Sequence, residues 1–179
     1  MRIFAPRVKP LVTPLAVLGL FIATAPAHAQ DVMRVPAVAA TSPLAALVAV
    51  PPGYTTYYIS GALATPMTPA ANGKPADWGD IAYQTASVLD SLQATMAKAG
   101  LDFGDVVQAH VFMAPDPAKG GGMDFAGMNK VWLTRFGTPT QPNKPARAAF
   151  KVAALAADGP LLEIEFIAVK RAPGVKKPL

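Results

Sequence analysis

Cysteine is absent from the 179-residue chain, which excludes disulfides, thiolate metal ligands and thiol nucleophiles. Histidine is nearly absent too: there are two, and no Ser or Asp stands at triad-like positions around His110. No group of His, Asp or Glu has metal-ligand spacing, and "AKGGGMD" lacks the GxxxxGK[ST] order of a phosphate loop. Charge is sparse, at 15% of residues. The body carries no basic stripe with interleaved aromatics, which argues against a nucleic-acid partner. Beyond residue 30 no apolar run is long enough to cross a bilayer.

What the chain does have is apolar bulk, 52% hydrophobic, in a length that suits one domain with a sizeable core. Its net charge of +5 is unevenly placed. Arg2, Arg7 and Lys9 precede the first acid, Asp31, so residues 1–29 carry three of the five charges and leave +5 − 3 = +2. A basic start, the apolar "LVTPLAVLGLFIATAP" and "AHA" at 27–29 form the pattern of a secretory leader. These features predict a signal peptide over 1–29, a periplasmic or secreted protein, and no membrane attachment after cleavage.

Residues 30–42 are Ala-, Val- and Pro-rich and read as a flexible lead-in. Leu44–Val50 and Tyr54–Ser60 have strand character, and 61–79 read mostly as loop. Asp80 then caps a predicted helix in which Ile81, Val88, Leu89, Leu92 and Met96 recur at helical spacing, with Gly100 as its stop. Gln84, Asp90, Gln93 and Lys98 take its other faces. Asp105–Met113 reads as a strand. Asp124 caps a second helix with Phe125, Met128, Trp132 and Phe136 on one core stripe, ended by Gly137. Arg147–Leu155 and Leu161–Val169, joined through "AADGP", predict an antiparallel hairpin. The element order predicts an α+β sandwich with both helices on one sheet face.

Strand alternation places Leu162, Ile164, Phe166 and Ala168 under the helices, with Glu163 and Glu165 on the opposite face. In the preceding strand it gives Ala148 and Phe150 to the helices and Arg147, Ala149 and Lys151 to the open face. Lys151 then pairs with Glu165 across the hairpin. Arg147 lies six residues from the position opposite Glu163, roughly 20 Å at ~3.3 Å per residue. One chain cannot join the two in a small pocket, so a neighbouring subunit is expected to supply the missing partner. Taken alone, Arg147 reads first as a cation paired with a carboxylate across a subunit interface, Glu163 as a solvated strand residue, and His110 as a satisfied sheet residue.

From about Tyr57 to Val169 the sequence resembles the Rid (reactive intermediate deaminase, YjgF-like) family. The resemblance rests on "YYISGALA", "GDIAYQTASVLDSLQATMAKAGLDFGDVVQAHVFM", "DFAGMNKVW" and the pair "PARAAFKVAAL" with "LLEIEFIAV". It implies a chorismate-mutase-like α+β fold over 43–170, a mixed sheet with two helices on one face, and a homotrimer with clefts between subunits. A basic tail, 171–179, follows. The implied activity is hydrolysis of reactive 2-imino or enamine acids to 2-oxo acids and ammonia, without cofactor or metal. By the same resemblance Arg147 is the carboxylate anchor, Glu163 positions or activates water, and Ser60, Gly61 and Asn129 line the cleft. Leu44 stands where the family has a cleft tyrosine, and Ala62 and Ala149 replace polar residues. Those departures support an alternative, a non-catalytic periplasmic binder of small carboxylates on the same scaffold.

Overall fold

The computed structural model describes residues 31–39 and 41–175. The expected signal peptide, 1–29, and residues 176–179 of the tail lie outside them. Six strands and two α-helices follow in the order β1 (Met33–Pro36), β2 (Ala45–Ala49), β3 (Tyr54–Leu63), α1 (Ile81–Ala97), β4 (Val106–Met113), α2 (Phe125–Trp132), β5 (Ala146–Lys151) and β6 (Leu162–Arg171). Both helices start where a side chain satisfies an orphan N–H. Asp80 accepts from the Tyr83 amide at 2.8 Å, and Asp124 from that of Gly127 at 2.9 Å. Gly100, at φ 68°, turns the chain out of α1 in the left-handed conformation that glycine adopts without a Cβ penalty.

The main sheet is mixed, with strand order β3-β6-β4-β5. β6 runs antiparallel to both β3 and β4, while β4 and β5 are parallel. The predicted hairpin of the last two strands is therefore corrected: β4 lies between them. Parallel neighbours require a crossover, and the segment from Met113 to Ala146, which carries α2, supplies it. β5 also stops at Lys151 rather than Leu155. Lys151 accordingly does not meet Glu165. Its ammonium donates to the Gly121 carbonyl at 2.6 Å, and Glu165 takes His110 instead.

One face of this sheet is closed by the helices. Val88, Leu89, Leu92 and Met96 of α1, Met128 and Trp132 of α2, and Phe136 pack on Ala109, Val111, Leu162, Ile164 and Phe166. Each large side chain so buried contributes about 1.5–3 kcal/mol. Trp132 and Phe136 stack at 4.3 Å between centroids, with Phe103 and Phe166 edge-on around them. Gln84, expected on a polar face, is fully buried. Its Oε1 accepts from the Leu161 amide at 2.7 Å and its Nε2 donates to the Gly79 carbonyl, so it satisfies backbone groups just before β6 and just before α1.

Within the stretch expected to be a loose lead-in, β1 forms a two-stranded antiparallel ribbon with β2. Arg34 secures it by donating to the carbonyls of Gly104 and Val106. At the other end Arg171, read as tail, is the last residue of β6 and pairs with Asp31 at 2.6 Å. Among the described residues no helix is long and apolar enough to cross a membrane.

Candidate functional site

The structure divides the expected site residues into two clusters. The first is built on β5. Arg147 sits opposite Ala109 and points to the helix side, where Ala149 also packs on the core. This reverses the expected facing of β5: Ala148 and Phe150 take the open face, and Phe150 stacks on Phe112 there at 6.1 Å. The physical reason lies in α2. The Arg147 guanidinium carbon lies 4.6 Å from the Trp132 ring centroid and 5.6 Å from that of Phe125. A flat, weakly hydrated cation is held well against aromatic faces, so it need not seek water.

Asn129, one helical step from Met128, completes this cluster. Its Oδ1 accepts from Arg147 Nη2 at 2.7 Å, and Nη1 faces the Met128 sulfur at 3.8 Å. No carboxylate among the described residues pairs with Arg147. Burial holds its pKa down to about 10, and its Nε is enclosed without a partner. A desolvated cation with no counter-ion is a costly arrangement unless an anion joins it. The Trp132 indole is in turn fixed by donating to the Pro43 carbonyl at 2.9 Å. Leu44, next in sequence, lines an adjoining cavity of about 330 Å³ with Arg34, Ser42 and Lys144.

The second cluster is at the β3 edge of the sheet. β3 carries a bulge between Ile59 and Ala62, so Ser60 and Gly61 together oppose the stretch of β6 between Phe166 and Ile164. Glu163 pairs with Leu63 of β3 and Phe112 of β4, on the face away from the helices, as strand alternation predicts. Its carboxylate rests over the bare Cα of Gly61. Neither the Glu163 nor the Ser60 side chain makes a hydrogen bond or ion pair with another described residue. Ser60 and Gly61 also line a groove of about 740 Å³ between β3 and the Ser91–Ala99 stretch of α1. Ala62 lines the same groove and also packs against the core.

Arg147 and Glu163 are thus not brought together within one chain. They lie on opposite sheet faces, two strands apart, about 10 Å, and offset by three residues, about another 10 Å. The open face shows Phe112, Phe150 and Tyr58, the last 80% exposed. It also holds a His110–Glu165 pair at 2.8 Å, with Gln108 on the other imidazole nitrogen. Among the described residues no three His, Asp or Glu side chains are placed to share a metal ion. Sequence reasoning missed Trp132 as the platform for Arg147. The available signal was Asn129 beside an aromatic stripe of α2, following a β-α-β order that puts α2 over β5.

Comparison with known proteins bears on this geometry. Residues 36–170 match the family described as Endoribonuclease L-PSP. Over 92 residues, 51% of this chain and 64% of the relative, the sequence is 39% identical to a RutC family protein of Pyrococcus horikoshii. Over 106 residues, 59% of this chain and 74% of the relative, it is 36% identical to the 2-iminobutanoate/2-iminopropanoate deaminase of Escherichia coli. The aligned region spans just under two thirds of the length of the Pyrococcus relatives. The crystal structure of YyfB of Yersinia pestis, a Rid-family protein described as of unknown function, shares the fold. Its TM-score is 0.57 at 22% identity, over 78% of this chain and 98% of that one. With the match running from the end of β1 to the end of β6, the chain belongs to the Endoribonuclease L-PSP family, also called the YjgF or Rid family.

Proposed function

We propose that the protein hydrolyses reactive 2-imino acids and their enamine tautomers to 2-oxo acids and ammonia, in clefts between the subunits of a homotrimer. The observation that carries this is Arg147: an aromatic-stacked guanidinium with no carboxylate partner among the described residues. A 2-imino acid supplies that missing anion. The guanidinium grips its carboxylate and orients the adjacent C=N carbon. Glu163, from the next copy, takes a proton from water as the water oxygen bonds to that carbon. It returns that proton to nitrogen, giving a carbinolamine, and then carries the carbinolamine hydroxyl proton to nitrogen as the C–N bond breaks, so that C=O forms and ammonia leaves.

The two clusters support a site made by two copies. Arg147 and Asn129 sit on the β5 side of the sheet, and Ser60, Gly61 and Glu163 on the β3 side. A head-to-tail contact that closes into a ring joins the β5 side of one copy to the β3 side of the next. The exposed aromatic surface of Phe150 and Tyr58 on the open face favours such an assembly. Relatives named 2-iminobutanoate/2-iminopropanoate deaminase support the substrate class. The leader-like residues 1–29 support a site of action outside the cytoplasm.

The test generates 2-iminopropanoate in situ with an amino-acid oxidase and follows its capture by semicarbazide. Wild type should suppress capture and Arg147→Ala should not. Equal behaviour of the two overturns the proposal. Carboxylate-induced thermal stabilisation that needs Arg147 but comes without turnover would identify the protein as a binder instead.

A further inference from the structure

We infer that Gly61 is the seat of the Glu163 carboxylate, and so a positioning residue for the reaction rather than a ligand of the substrate. The inference rests on the proposed function for its kinetic meaning, but its geometry stands apart from it. A Cβ built on Gly61 would overlap the Glu163 carboxylate and come within 2.8 Å of Cδ and 3.0 Å of Cγ. Every heavy atom it meets within that range belongs to this one side chain. No hydrogen bond or ion pair to a described residue holds the Glu163 carboxylate. The absence of a side chain at 61 is therefore what defines where the carboxylate lies.

Two further observations give the seat its purpose. Gly61 lies in the β3 bulge, a device that re-aims a strand locally, here beneath an acid on the neighbouring strand. Its backbone is also outside the left-handed region in which Gly53, Gly79 and Gly100 are found. Conformational freedom is thus not what position 61 requires of glycine; space is. An alanine there fits the backbone, and the group it displaces is the free end of a flexible side chain. The substitution should leave the fold intact and move the carboxylate.

Gly61→Ala is measured beside wild type, Glu163→Gln and the double variant, with 2-iminopropanoate generated in situ. The expected result is a kcat lowered about tenfold or more, within the range a positioned acid–base group supplies. KM stays within about twofold, because Arg147 still binds the carboxylate. In the Glu163→Gln background Gly61→Ala should change nothing further, since the group it displaces is already disabled. Glu163→Asp, which withdraws the carboxylate from the seat, should behave like Gly61→Ala. A glycine that only offers its backbone to substrate would instead raise KM and do so in the Glu163→Gln background as well. That result, or wild-type kcat in Gly61→Ala, overturns the inference. If wild type shows no turnover, the proposed function fails by itself. Crystal structures of wild type and Gly61→Ala then decide the seat: a displaced Glu163 carboxylate supports it, and an unmoved one refutes it.

Discussion

Replacing Arg147 by lysine keeps the charge and removes the geometry, so it separates anchoring by a planar fork from attraction to any cation. In the structure the guanidinium is fixed by Asn129 at 2.7 Å and by the Trp132 ring at 4.6 Å. A lysine ammonium is more strongly hydrated and presents no paired donors to a carboxylate. The substitution should lose one of two charge-assisted hydrogen bonds to the substrate, about 1.5–3 kcal/mol. At about 1.4 kcal/mol per factor of ten, that is a roughly 10- to 150-fold weaker grip. The carboxylate is held alike before and during attack on the C=N carbon, so the loss should appear in KM, with kcat within a few fold. The semicarbazide competition assay over a range of oxidase-generated imine gives both constants. A folded Arg147→Lys protein with wild-type KM would refute the bidentate anchor.

Binding should also depend on pH at the alkaline end. Burial lowers the pKa of Arg147 to about 10, so between there and the ordinary arginine range the unfolded chain keeps a proton that the folded one has lost. Rising pH through this window therefore favours the folded state on Arg147's account but weakens its hold on an anion. Titration calorimetry with pyruvate should show about fourfold weaker binding at pH ~10.5 than at pH ~8; unchanged affinity would contradict the role of the buried cation. On the open face, Phe150→Asp puts a charge beside Phe112, 6.1 Å away in the stacked pair. Sedimentation velocity should then report monomers that retain their helix signal but have no activity, whereas an unchanged assembly mass would show that this face is not an interface.

Much of the fold was legible because local chemistry and long-range packing agree. The alternation Leu162, Glu163, Ile164, Glu165, Phe166 marks the faces of β6, and burial follows it residue by residue. Asp80 and Gly100 bound α1 because each solves a local backbone problem. β5 was misread for two linked reasons. The turn-rich "AADGP" favoured a hairpin, yet β5 pairs in parallel with β4 through the α2 crossover, and β4 fills the place beside β6. Giving the more apolar Ala148 and Phe150 side to the helices then reversed the strand, because only the tertiary structure shows Trp132 and Phe125 waiting for Arg147 on the helix side. Gln84 was misplaced likewise: its buried amide answers backbone groups of Gly79 and Leu161, which sequence spacing does not reveal. The site was only half readable, since alternation exposes Glu163 whereas its seat on Gly61 depends on the β3 bulge.

The most direct measurement mixes two inactive variants, Arg147→Ala and Glu163→Gln, after reversible dissociation and reassembly. A cleft shared by neighbouring copies takes its arginine from one chain and its glutamate from the next. Random equal mixing should restore about a quarter of the clefts, and with them about a quarter of wild-type turnover. Mixed trimers that stay inactive, while reassembled wild type recovers fully, would contradict a site divided between subunits.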